Sequence, residues 1–256
     1  MLFNKIIFGP VRSRRLGTSL GINLLPEEIK LCTYNCVYCE CGWAETDEIL
    51  HSKLLSADCI VSVLEEKFKE LQSTDIHLDS ITYSGNGEPT LHPQFAEITE
   101  QLIRLRNTYF PQTLITCLSN STQLYRPDIL YALQRIDNPI MKFDTGIQAT
   151  FEQINKPFTK ITVNEICTYL SHFQGNLTVQ TLFLKGELDD GTKIDNTTEA
   201  ELRAWLDCLK AINPHTVMLY PIDRETPAKK LEKIEKTVLE QIAKRVGELG
   251  IKSLVY

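Results

Sequence analysis

Short apolar runs rich in β-branched and aromatic residues alternate along this chain with longer stretches whose apolar residues recur every three or four positions. The short runs read as buried strands and the longer stretches as amphipathic helices, since side chains repeat every two residues along a strand and about every 3.6 along a helix. Strands are predicted at Ser80 to Ser84, Thr113 to Leu118, Ile140 to Phe143, Leu177 to Leu184 and Thr216 to Tyr220, with one more ahead of them around Ser19 to Leu25. Helices are predicted over Ala57 to Leu71, Pro93 to Arg106, Pro127 to Gln134, Val163 to Phe173 and Thr198 to Ile212. A last helix is placed from about Leu231 to Leu249, ahead of the terminal IKSLVY. Ser56, and Thr197 or Thr198, stand where an N-cap hydroxyl accepts from the free N–H groups of a first turn.

This rhythm predicts an α/β fold, a partial TIM-type (β/α)6 barrel of mostly parallel strands, in one domain over residues 1–256. In such barrels the loops after the C-terminal strand ends carry the site. The chemically suggestive residues fall there: three closely spaced cysteines after the first strand, Ser-Gly-Asn-Gly-Glu-Pro after the second, Ser119 and Asn120 after the third, Asp144 after the fourth, and Asp223 and Arg224 after the sixth.

Composition narrows the class. With 256 residues, 43% of them hydrophobic and 23% charged, the chain buries a sizeable core and disorder is not expected. A formal charge of -6 argues against a general nucleic-acid coat. The first residues, MLFNKIIFGP, are interrupted by Asn4 and Lys5, and no run approaches the roughly 18 apolar residues of a membrane span. A cytoplasmic protein without a signal peptide is expected. Eight cysteines in that setting point to metal binding rather than to a disulfide framework.

Residues 31 to 43 read L-C-T-Y-N-C-V-Y-C-E-C-G-W, a C-x3-C-x2-C spacing over Cys32, Cys36 and Cys39. A loop so spaced can hold three corners of a cubane iron–sulfur cluster and leave one iron open for a substrate group. Zinc is the rival metal, although zinc favours four ligands in paired spacings. Cys41 offers a possible fourth thiolate, which would close the cluster. Cys59, Cys117, Cys167 and Cys208 stand singly in apolar patterns and are expected to be core thiols, so one cluster is expected.

The cysteine loop resembles the signature of the radical S-adenosylmethionine (SAM) superfamily, C-x3-C-x-aromatic-C, with Tyr38 as the aromatic residue before Cys39. Ser84, Gly85, Asn86, Gly87, Glu88 and Pro89 resemble the family's Gly-Gly-Glu-Pro segment, with Asn86 in place of a glycine. The resemblance implies a [4Fe–4S] cluster on Cys32, Cys36 and Cys39, with SAM chelating the open iron. It places Tyr38 against the adenine, the segment Ser84 to Glu88 on the methionyl ammonium, and Ser119 and Asn120 on the ribose or carboxylate, where a helix N-cap is the plainer reading. Lys142, Asp144 and Arg224 become candidate substrate contacts, with a buried Lys142–Asp144 ion pair as the alternative; Thr181 is a weaker candidate.

Phe8 to Gly17 (FGPVRSRRLG), Tyr83 to Pro93 (YSGNGEPTLHP) and Tyr220 to Arg224 (YPIDR) extend the resemblance to the branch grouped with wyosine-type tRNA base synthases. The resemblance implies an enzyme, reduced by an external flavodoxin or ferredoxin, that cleaves SAM to a 5′-deoxyadenosyl radical and abstracts hydrogen from a substrate. An RNA base comes first as substrate and a protein or peptide partner, such as a glycyl-radical enzyme, second. Two other classes stay open: a non-enzymatic carrier with all four loop cysteines ligating, and a zinc-stabilised nucleic-acid module using Arg12, Arg14 and Arg15, against the plainer reading of those arginines as a solvated face. The run Lys229 to Lys236 (KKLEKIEK) reads as a solvated helix face.

Overall fold

The computed structural model describes residues 2–44 and 54–256. Its parallel strands are β2 (Gly17–Ile22), β3 (Ser80–Tyr83), β4 (Leu114–Ser119), β5 (Asn138–Lys142), β6 (Thr178–Glu187), β8 (Thr216–Pro221) and β10 (Lys252–Val255), preceded by β1 (Ile7–Ser13). The sheet order is β1-β2-β3-β4-β5-β6-β8-β10, and every neighbouring pair is parallel except β1 with β2. The sheet is open: β1 and β10 are its two ends, so the barrel is partial, as expected.

The helices cover its outer face. They are α1 (Ala57–Gln72), α2 (Phe95–Tyr109), α3 (Pro127–Gln134), α4 (Gln148–Ile154), α5 (Val163–Ser171), α6 (Glu199–Ile212) and α7 (Lys236–Glu248). In α1 the stripe Ala57, Ile60, Leu64, Phe68 and Leu71 is buried, and Ser56 Oγ caps the helix by accepting from Cys59 N at 3.3 Å. In α6 Thr198, rather than Thr197, supplies the cap.

Ile81 and Tyr83 of β3 are buried, and the Tyr83 ring lies 5.1 Å from that of Phe95 on α2. Ser80 and Thr82 alternate with them and therefore face the concave side. There Ser19, Ser80, Thr82 and Thr116 join their hydroxyls at 2.8 to 2.9 Å. Short mutually bonded side chains satisfy their own polar groups and fill little of the concavity.

Four expectations need correction. The last helix begins at Lys236, not near Leu231, because β9 (Lys230–Lys233) pairs antiparallel with the part of β6 that runs past the barrel. KKLEKIEK is thus largely an edge strand, and β7 (Lys193–Asp195) pairs with the same extension. The terminal IKSLVY contributes a seventh parallel strand, since Lys252 to Val255 pair with β8. Finally, β1 and α4 have no counterpart in the periodicity, and Cys59 is exposed on α1 rather than a core thiol, whereas Cys117 is buried.

Candidate active site

Loops at the C-terminal ends of β2, β3 and β4 meet around one cavity of about 160 Å³. The cysteine loop is tightened by Cys39 N donating to Cys36 O at 3.1 Å and by Gly42 N donating to Cys39 O at 2.9 Å. Its back is held by the end of α4, where Ile154 O accepts from Val37 N and Asn155 O from Asn35 N, each at 3.0 Å. Its front joins the turn after β3, because Leu31 N donates to Asn86 O at 2.8 Å and Glu88 N donates to Leu31 O at 3.0 Å. The sulfurs of Cys32, Cys36, Cys39 and Cys41, together with Gly85 and Gly87, thereby line the same space.

The donor set suits thiolates. Cys32 Sγ receives N–H groups from Tyr34 N and Asn120 Nδ2, both at 3.5 Å, and Cys36 Sγ receives Asn155 Nδ2 at 3.6 Å. Burial and the neighbouring Cys36 push the Cys32 thiol up to about 12 and burial raises Cys36, so neither ionises readily without a cation to hold its charge. Cys39 is held down to about 5 by hydrogen bonding with Cys41 and by the Lys30 ammonium. Among the described residues no group of Cys, His, Asp or Glu side chains converges closely enough for a single metal ion. Thiolates are the ligands that iron–sulfur clusters favour.

Glu88 closes the wall opposite. It is 1% exposed, and burial raises its pKa, opposed by hydrogen bonds to its charged form. Oε1 accepts from Thr90 N at 3.1 Å, Thr90 Oγ1 at 2.5 Å and Ser119 Oγ at 2.9 Å, while Oε2 accepts from Asn120 N at 2.5 Å. The carboxylate therefore locks the loop after β4 to the turn after β3.

Beside Tyr38 lies a second buried carboxylate. Asp144 accepts from Tyr38 OH at 2.5 Å, Asn155 Nδ2 at 2.8 Å, Leu182 N at 2.9 Å and Lys142 Nζ at 3.3 Å. Lys142 also donates to Tyr220 OH at 3.0 Å and stands 4.7 Å over the Tyr38 ring. Burial pulls the Lys142 pKa down, but Asp144 and Tyr220 outweigh it and the ammonium is retained. Tyr38 also borders an outer cavity of about 70 Å³, rimmed by Arg14, Arg15, Tyr220, Asp223 and Arg224.

The family model of the Radical SAM superfamily matches residues 29–193. The chain belongs to the radical SAM superfamily. A relative designated UPF0026 protein, from Helicobacter pylori strain J99, is 32% identical over 228 residues, covering 88% of this chain and 68% of that protein. Among solved structures, a radical SAM methyltransferase from Sphaerobacter thermophilus superposes with a TM-score of 0.64 at 15% identity, over 93% of this chain and 65% of that one. Archaeal TYW1, of the wyosine-synthase branch, superposes with a TM-score of 0.51 at 12% identity, over 90% and 71%. At such identities the structural matches speak to the fold. The family binds a [4Fe–4S] cluster and SAM and draws electrons from an external reductant, and this chain is an iron–sulfur enzyme of that kind.

Within this radical SAM chain the structure gathers Cys32, Cys36, Cys39, Tyr38, Gly85, Gly87, Glu88, Ser119, Asn120 and Lys142 around the inner cavity. Ser84 lies outside its lining, with its N–H donating to Ile22 O at 3.0 Å. The Asn86 side chain turns the other way: Oδ1 accepts from Phe3 N at 2.7 Å, and Nδ2 donates to Phe3 O and Pro26 O, each at 2.8 Å. Arg224 belongs to the outer rim, paired with Glu40 at 2.8 Å. Thr181 is committed to Phe143 O at 2.7 Å, and among described residues no helix long and apolar enough to cross a membrane exists. Sequence reasoning missed Lys30, Tyr34, Asn155 and Gln180. The first two flank the cysteines and were readable as neighbours, but Asn155 and Gln180 reach the site only through packing.

Proposed function

We propose that this chain is a cytoplasmic, single-domain radical SAM enzyme with one [4Fe–4S] cluster on Cys32, Cys36 and Cys39, acting on a substrate admitted through the outer cavity. The observation that carries this reading is the convergence of these three sulfurs with the Gly85 to Glu88 turn on one cavity at the strand ends. Bound there, the cluster and SAM would supply reductive cleavage to a 5′-deoxyadenosyl radical, with flavodoxin or ferredoxin as the electron source. The chain's part is to hold and orient. Gly85 and Gly87 line the cavity with backbone, and a Cβ on either would press on Asn23 or Leu31 O and displace the turn; Ser119 and Asn120 line the same wall, held by Glu88, and Tyr38 forms the wall shared with the outer cavity.

An RNA base is the favoured substrate class, ahead of a peptide or protein partner. Arg15 stands 4.8 Å over the Tyr220 ring, and Tyr256 borders the same space, so aromatic and guanidinium planes are available for stacking. The rim pairs Arg14–Asp223 and Arg224–Glu40 are largely exposed and exchange cheaply for phosphate. Lys142 lines the inner cavity and donates to Tyr220 on the outer rim, where it would orient the substrate; Asp144, whose side chain is fully buried, lines neither cavity and would act through Lys142 and Tyr38.

Cys41 lines the inner cavity as well, which favours a second reading as a four-cysteine electron carrier. Low-temperature EPR of the anaerobically reconstituted, dithionite-reduced protein separates the two. A [4Fe–4S] signal that changes shape on adding SAM supports the enzyme. A signal indifferent to SAM turns the assignment to the carrier, and absence of any iron signal rejects both.

A further inference from the structure

Asn155 is 1% exposed at the C-cap of α4, and its backbone is fixed from both sides: N donates to Phe151 O at 2.8 Å, and O accepts from Asn35 N at 3.0 Å. Its Nδ2 faces three acceptors, Asp144 Oδ2 at 2.8 Å, Tyr38 OH at 3.0 Å and Cys36 Sγ at 3.6 Å, while its Oδ1 is buried with no partner. The amide cannot be turned over. A carboxylate accepts only, so placing Oδ1 against Asp144 would set two acceptors together. Asp144 therefore acts as a clamp. It spends one amide hydrogen of Asn155 and, through Tyr38, narrows the choices of the other to the phenol oxygen and the sulfur.

We infer that Asn155 is a positioning residue for the cluster: held in one orientation by Asp144, its carboxamide donates to the Cys36 sulfur and raises the reduction potential of the cluster that Cys36 holds. This rests on the reading of Cys36 as a ligand. The physical reason is that reduction adds negative charge shared by the thiolate sulfurs, and a fixed N–H dipole in a dry site stabilises that charge more than it stabilises the oxidised form. Asn155 is thus the means by which the buried Lys142–Asp144 pair bears on the sulfur of Cys36.

The test is an EPR-monitored redox titration of reconstituted wild type and Asn155→Ala at equal iron content. The reduced-to-oxidised ratio at a fixed potential should fall about tenfold in the variant, a shift of about 59 mV to more negative values for one electron. An unchanged potential with a full cluster overturns the inference and leaves the ligand assignment standing. Wild type that binds no cluster overturns both. Should Asn155→Ala fail to assemble a cluster, HYSCORE spectra of reduced wild type carrying side-chain 15N-labelled asparagine decide the matter. Asn120 Nδ2, 3.5 Å from Cys32 Sγ, contributes a coupling of its own, so the comparison is with Asp144→Asn, which frees the Asn155 amide to turn: loss of one 15N coupling in that variant supports the inference, and a spectrum the substitution leaves unchanged overturns it.

Discussion

A Cβ on Gly87 would stand 1.8 Å from the carbonyl oxygen of Leu31, and Gly87 itself sits at φ +131. The turn after β3 and the start of the cysteine loop thus touch backbone to backbone, and any side chain would force them apart. Gly87→Ala should remove most bound iron after reconstitution and cost at least about 2 kcal/mol from the backbone conformation and the clash together. Iron assay and urea denaturation under anaerobic conditions measure both. Native iron content and an unchanged midpoint would show that the contact is dispensable.

The loop cysteines should not behave alike. Alanine at Cys32, Cys36 or Cys39 is expected to abolish the cluster, because each removes a ligand. Cys41 donates to Gly85 O at 3.5 Å and hydrogen-bonds with Cys39, and Cys41→Ala should retain a cluster whose EPR signal still responds to SAM. Loss of the cluster in Cys41→Ala would favour the four-cysteine carrier.

Stability should fall in mild acid through His92. Its ring is buried, Nδ1 accepts from Gln94 N at 3.2 Å, and Nε2 then carries the proton toward Leu55 O at 3.0 Å. Burial lowers its pKa, outweighing the Leu55 hydrogen bond, which favours the charged form. A depressed folded pKa means that the unfolded chain binds more protons as pH drops below about 6.5, so the contribution is present above that pH and is lost through the folded pKa. The slope from this one group is at most about 1.4 kcal/mol per pH unit. Urea midpoints at pH 7.5 and 5.5 should differ less in His92→Asn than in wild type; an equal drop in both would place the acid sensitivity elsewhere.

Asp144 and Lys142 should differ sharply in what their loss costs. Asp144, whose side chain is fully buried, has three donors besides Lys142, so Lys142→Met leaves the carboxylate satisfied and should cost less than about 2 kcal/mol. Asp144→Leu strands an ammonium whose side chain is 14% exposed, with Tyr220 OH as its remaining partner, and should cost about 3 to 5 kcal/mol. Comparable losses in urea denaturation of the two variants would contradict this asymmetry.

Much of the molecule is decided by local pattern. The six strand–helix repeats, the caps at Ser56 and Thr198, the three cysteines and the glycine turn all come from periodicity and spacing within a few residues, and these alone imply a barrel mouth with a metal-binding loop. Tertiary structure decided the pairings. Asn86 reads as part of the cofactor turn, yet its side chain ties down Phe3, 83 residues away, because the N-terminal arm passes behind that turn. Asn155 meets Cys36 across 119 residues, on a seven-residue helix too short to show a periodicity. Sequence encodes which side chains a segment turns inward; which distant backbone or sulfur they then meet depends on how the segments pack, and in this chain that packing sets the surroundings of the cysteines.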